Sequence, residues 1–181
     1  MQSEKINLVD LMGAQVAVGS GLFEDLIATG VYSVECVDAT GQVKWIDEFK
    51  NLVVTAGKND ILDKYFAGSS YTAAWYLGLV DGTSSPTYAA GDVLSSHAGW
   101  TENTGYSGNR KAPAWNSASS GSKATTATSF SVNASGTIAG AFMCTASTGT
   151  SGILYSAGSF TGGNRIVASG DTLNVTYTAS V

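Results

Sequence analysis

The sequence predicts a mainly β protein: a jelly-roll-like antiparallel β-sandwich with one short helix, at about 55–67, and an N-terminal arm. Three observations predict it. Gly, Ser, Thr and Ala make up nearly half of the 181 residues. Small residues on this scale suit flat, closely packed β-surfaces and tight turns, and Gly, Ser and Thr are weak helix formers. The second half is a series of short β-forming runs parted by Gly-, Ser- and Asn-rich turns, the spacing of a sandwich or barrel. The last of these runs alternates cleanly, with Leu173, Val175 and Tyr177 against Asn174, Thr176 and Thr178, as a half-buried strand must.

A chain of this length supports one domain that buries roughly 70% of its unfolded surface, with no need of a disulfide or metal. We divide it into an arm, 1–28, and a sandwich domain with a helical insertion, 29–181. The arm holds Leu8, Leu11, Met12, Leu22 and Phe23 with no clean period. An apolar segment on an acidic protein should bury against its own sheet, a neighbouring subunit or another partner. A hairpin follows. Tyr32, Val34 and Cys36 share one face of 30–38. Val43, Trp45, Asp47 and Phe49 share one face of 43–49, across the turn "ATGQ".

The run "TAGKNDILDKYFAG" (55–68) is helical: Thr55 can cap it, Ile61, Leu62, Tyr65 and Phe66 fall on one face, and Gly68 stops it. A second helical turn is expected at 91–97. The run 73–82 reads as a buried strand ending in an Asp-Gly turn. Further strands are expected at 123–133, 136–145, 152–158, 164–168 and 171–179.

Charge excludes several functions. Only 13% of residues are charged and the net charge is −5, whereas nucleic-acid binding leaves a basic footprint. No nucleic-acid partner is expected. No apolar run is long enough to span a bilayer, so no membrane partner is expected either. "LMGAQVAVGSGLF" (11–23) has no net-positive region before it, unlike a signal peptide. Cys36 and Cys144 lie far apart in sequence and read first as buried thiols. No metal-ligand spacing occurs, and no cofactor is expected.

Reactive side chains gather in "SSHAGWTENTGYSGNRKAPAW" (95–115), which holds the single histidine, His97. A nucleophile needs a base and an orienting group. No GxSxG elbow accompanies His97, and residues 65–181 contain only four acids, Asp81, Asp92, Glu102 and Asp171. The chain is not expected to be an enzyme. Trp75, Tyr76, Trp100, Tyr106 and Trp115 could instead fill a core, form an interface or stack on sugars. Trp100 and Trp115 are expected to anchor 95–115 to the core, leaving Glu102 to Lys111 exposed.

Two runs, "NLVVTAGKNDILDKYFAGSSYTAAWYLGLVDG" (51–82) and "AAGDVLSSHAGWTENTGYSGNRKAPAW" (89–115), resemble a group of tailed-bacteriophage virion proteins. "FSVNASGTIAGAFMC", "GILYSAGSF" and "GDTLNVTYT" continue the resemblance to the end of the chain. The resemblance implies a head decoration, or cement, protein: a sandwich made in the bacterial cytoplasm that binds the capsid exterior. It implies the major capsid protein as partner, and carries over no catalytic or cofactor residue. Self-association as a dimer or trimer is expected. The residues expected to touch a partner are Leu8, Leu11, Met12 and Phe23 in the arm and Glu102, Tyr106, Arg110 and Lys111 in the connection. A tail-fibre or baseplate module binding host glycans through the aromatics is the alternative.

Overall fold

A computed structural model describes residues 27–66 and 75–181. Leu8, Leu11, Met12 and Phe23 therefore lie outside the described residues. The described chain is mainly β, two antiparallel sheets packed face to face with one short helix. Sheet A comprises β1 (Thr29–Val37), β2 (Val43–Lys50), β6 (Ser122–Ala124), β7 (Thr128–Ser131) and β11 (Thr172–Ser180). Its order is β2-β1-β11-β6, and β7 also pairs with β11. Sheet B comprises β3 (Leu52–Val53), β4 (Tyr76–Asp81), β5 (Glu102–Asn103), β8 (Gly136–Cys144), β9 (Leu154–Ser159) and β10 (Arg165–Val167). Its order is β3-β9-β8-β4-β5, with β10 on the start of β8.

The long pairings join distant segments. β1 pairs with β11 along its whole length, from Thr29 opposite Ser180 to Val37 opposite Thr172. The expected hairpin is present as β1–β2 around Gly41, at φ +86°. Asp38 closes that turn by accepting from the amides of Thr40 and Gln42.

The alternation of β1 and β11 places Tyr32, Val34, Cys36, Leu173, Val175 and Tyr177 inward, against Leu77, Leu79, Ile138, Ala141 and Met143 of sheet B. A second apolar cluster lies against the remaining side chains of sheet B. Val80, Ala139, Phe142, Cys144 and Ala157 meet Leu94 and Trp100 of the connection before β5, and Val54 before the helix. The strands β4 and β8 are thus buried on both faces, which explains their continuous apolar runs. Gly78 makes this possible locally, since a Cβ there would stand 2.3 Å from the Phe142 ring.

Three expectations need correction. Residues 91–97 form no helical turn; Val93 and Ser96 bond each other's backbone in a tight loop, because the segment follows the surface of sheet B. The run 123–133 is two strands, β6 and β7, broken at 125–127, where Thr125 takes its own bonds to Tyr177. The helix α1 (Thr55–Phe66) matches its expected span, but its apolar face does not. Leu62 and Phe66 are exposed, and only Ile61 of the described side chains in that set is half-buried. The helix packs through Gly57, where a Cβ would stand 2.5 Å from the Tyr155 carbonyl oxygen. A close approach of backbone to backbone selects the smallest residue, and Leu62 and Phe66 stand outside the contact.

Candidate functional site

The connection between β4 and β6 holds the single histidine and most of the charged side chains of the second half. Its histidine is committed to structure. The His97 ring stacks on Trp100 at 3.9 Å between centroids and 19° between planes, and its Nδ1 lies 3.0 Å from the Trp100 carbonyl oxygen. Trp100, 3% exposed, packs on Phe142 and donates from Nε1 to Asp92. The indole is thus buried with its polar edge satisfied.

The four expected contact residues of this segment do come together, but as a staple. Arg110 grips Glu102 in a two-pronged bond, Nε to Oε1 at 2.9 Å and Nη2 to Oε2 at 2.7 Å. Its third nitrogen, Nη1, donates to the Ala146 carbonyl at 3.0 Å, and the guanidinium stands over the Phe142 ring. Tyr106 donates weakly to Glu102 and meets Phe130 edge to face. Lys111 stands over the Tyr106 ring, while its backbone bonds Leu77 in both directions.

The expected exposure of Glu102 to Lys111 therefore needs correction at two positions: Tyr106 is 4% and Arg110 8% exposed. Pairing makes the burial possible, since a buried charge is tolerated when its partner and its hydrogen bonds are present. Burial lowers the Arg110 pKa, but the Glu102 bond outweighs it and holds the guanidinium charged. Burial, then the Glu102 charge, pushes the Tyr106 phenol well up. Burial likewise raises the Cys144 thiol beside Arg110, and both cysteines are free and buried.

The aromatics are divided between different jobs. Trp100 and Tyr106 are core. Trp75 and Trp115 line an apolar cleft of about 420 Å³ at one end of the sandwich, with Tyr155, Tyr177, Met143 and Lys123. Trp75 meets Tyr155 edge to face at 5.2 Å, and Trp115 meets Tyr177 at 6.4 Å. Lys123 holds its ammonium over Trp115 and donates to the Asn116 carbonyl. Tyr177 receives a bond from Asn51 at 3.0 Å. The lining residues come from segments far apart in the sequence, so no local sequence signal joins them.

A third surface is the outer face of sheet A. Its outward residues are Val31, Ser33, Glu35 and Val37 on β1 and Asn174, Thr176, Thr178 and Ser180 on β11, flanked by Ile46, Glu48 and Lys50 on β2 and Ser129 on β7; none is buried. Its residues are mostly small, polar or β-branched, aligned in register across four strands.

Among the described residues, no group of three His, Cys, Asp or Glu side chains is placed to hold a metal ion, and no helix is long and apolar enough to cross a membrane. No family model matches the chain, and no curated protein matches it.

Proposed function

We propose that this protein decorates and stabilises a phage capsid shell, binding its exterior as a homo-oligomer across neighbouring subunits of the major capsid protein. The observation that supports this reading is the uncovered outer face of sheet A beside the covered outer face of β4, β8 and β9 in sheet B. A decoration protein needs a stiff scaffold and a flat, regular surface rather than a catalytic cleft. Sheet A offers such a surface, with cross-strand neighbours Ser33 and Thr176, Val31 and Thr178, in strict register. The sequence resemblance points the same way.

Binding only to the assembled shell would stabilise it by mass action, about 2.7 kcal/mol per site at about a hundredfold excess over Kd. Repeated over many sites, that term opposes the outward pressure of packaged DNA. Purified protein should co-sediment with empty heads, and virions should carry hundreds of copies by quantitative mass spectrometry. Failure to co-sediment, with about a dozen copies or fewer per virion, overturns the reading.

Binding of host glycans keeps one favourable observation, the presence of Trp75 and Trp115 on one cleft. Specific signals on a glycan array that vanish in Trp115→Ala would favour that second reading.

A further inference from the structure

We propose that the open edge of β2 is where two copies of this chain pair, antiparallel about a twofold axis at Ile46, so that two copies of sheet A join into one continuous sheet. The proposal rests on the homo-oligomer of the reading above and names its interface.

Strand length is the first support. Among the described residues, β2 pairs with β1 alone and ends sheet A on that side. It is eight residues long, whereas β3, β5 and β6, at the other sheet ends, have two, two and three. A long open edge presents a row of unpaired N–H and C=O groups, a template for another strand.

The backbone fixes which groups are open. The Asn51 amide donates to the Gly30 carbonyl, and in an antiparallel pair the residues that bond each other recur at every second position. The register then turns Trp45, Asp47 and Phe49 toward β1, and Ile46 and Glu48 point their N–H and C=O away from it. This stretch is bounded at both ends. The register shift opposite Cys36 and Val37 makes Lys44 a bulge, and beyond Lys50 the chain crosses to β3 in sheet B. Thr161 donates from Oγ1 to the Glu48 carbonyl at 2.7 Å, which leaves that oxygen its second lone pair.

The side chains are the third support. Ile46 is 62% and Val43 53% exposed. Setting Ile46 opposite Ile46 of the second copy covers both isoleucines. The same register sets Lys44 opposite Glu48 of the second copy, twice over, and opposite charges on facing strands attract. Lys44 holds Asp171 and its side chain is still 31% exposed, with further donors on the ammonium. Slipping the register one way brings Lys44 opposite Lys50, and slipping it the other way leaves Glu48 opposite Gln42 and loses both charge pairs. The stretch is thus complementary to itself about Ile46, which favours a second copy over the strand of a different protein. A twofold pairing of this kind closes after two copies, and it doubles the width of the open face of sheet A.

Sedimentation velocity on the full chain, without heads, tests it. Wild type should form a dimer that dissociates on dilution. Ile46→Pro removes an amide that faces away from β1, and proline is tolerated on such edges. The dimer should be lost while the melting temperature of the sandwich is kept. Glu48→Lys leaves the backbone intact and should also weaken the dimer, by setting lysines opposite each other. A third measurement needs no loss of binding. Opposed Cα atoms of a bonded antiparallel pair stand about 5.5 Å apart, within the reach of a disulfide. In Ile46→Cys, mild oxidation should link two copies through position 46, while Thr178→Cys on the outer face stays unlinked. Cys36 and Cys144 are buried and do not compete. A monomer at every concentration, a trimer, a dimer of unchanged strength in either variant, or linkage through Thr178→Cys instead overturns the proposal. None of these results depends on heads, so failure here is distinct from failure to bind the shell.

Discussion

Sheet A and sheet B have similar strands, but the chain finishes them differently. Sheet A is covered on one face only: β1 and β11 alternate buried and half-exposed residues along their length. The central strands of sheet B, β4 and β8, are covered on both. The connection carrying Leu94 and Trp100 lies over their second face, and β8 is buried at seven consecutive positions. The difference teaches how to read the long loop between β4 and β6. It is a third layer of the fold, and its charged residues lock that layer down. The face left open is on the opposite side of the molecule, on sheet A.

The comparison can be broken most forcefully at Phe142, which touches both Trp100 and Arg110. Phe142→Ala should cost about 3–5 kcal/mol in urea unfolding. A cost below about 1 kcal/mol would mean that the layer over sheet B is not packed as described.

Arg110→Met comes next. It leaves Glu102 without its two-pronged partner and the Ala146 carbonyl without its donor, and should cost about 2–4 kcal/mol. Adding Glu102→Gln should recover part of that loss. A double-mutant cycle with no coupling would remove the staple from the account.

A smaller effect is expected in sheet A, where Lys44 and the Ala168 amide bind the buried Asp171. Burial raises this carboxyl, but those two donors outweigh it and hold its pKa below the ordinary range. A carboxyl depressed in the folded state adds stability above its unfolded value, about 3.9. That stability is lost as pH falls through the folded value. Asp171→Asn should therefore lie about 1.5–2 kcal/mol below wild type at neutral pH, with the two curves converging below about pH 4. Parallel melting curves across that range would contradict the ion pair.

The smallest change in stability, and the most telling for function, is expected on the outer face of sheet A. Thr176→Lys should move stability by no more than about 0.5 kcal/mol and abolish co-sedimentation with heads. Unchanged binding would move the contact surface elsewhere.

Much of the fold was legible locally. The hairpin at Gly41, the span of α1 and the alternation of β11 rest on neighbours within a few residues, where period and turn chemistry decide. The face of α1 was misread because its contact is Gly57 against the Tyr155 backbone, a close approach that hydrophobic periodicity does not register. The connection 95–115 was recognised as the place where charge and aromatics gather, and its anchoring by Trp100 was legible from residue type. Its closure was not. Glu102 and Arg110 looked exposed because both are charged, and only their mutual neutralisation lets Arg110 be buried. The cleft was half-visible: Trp75 and Trp115 stood out, whereas Tyr155, Tyr177 and Lys123 read as ordinary strand residues.

The sequence by itself determined that this chain is a small-residue β-sandwich with one helix, few charges and an apolar N-terminal segment. Composition and period act over a few residues and are written in order along the chain. Only the tertiary structure decided which sheet face is covered, which charges pair and where a cleft opens. Those outcomes depend on β1 meeting β11, β4 meeting β8 and the connection folding back over Phe142, contacts between residues tens of positions apart.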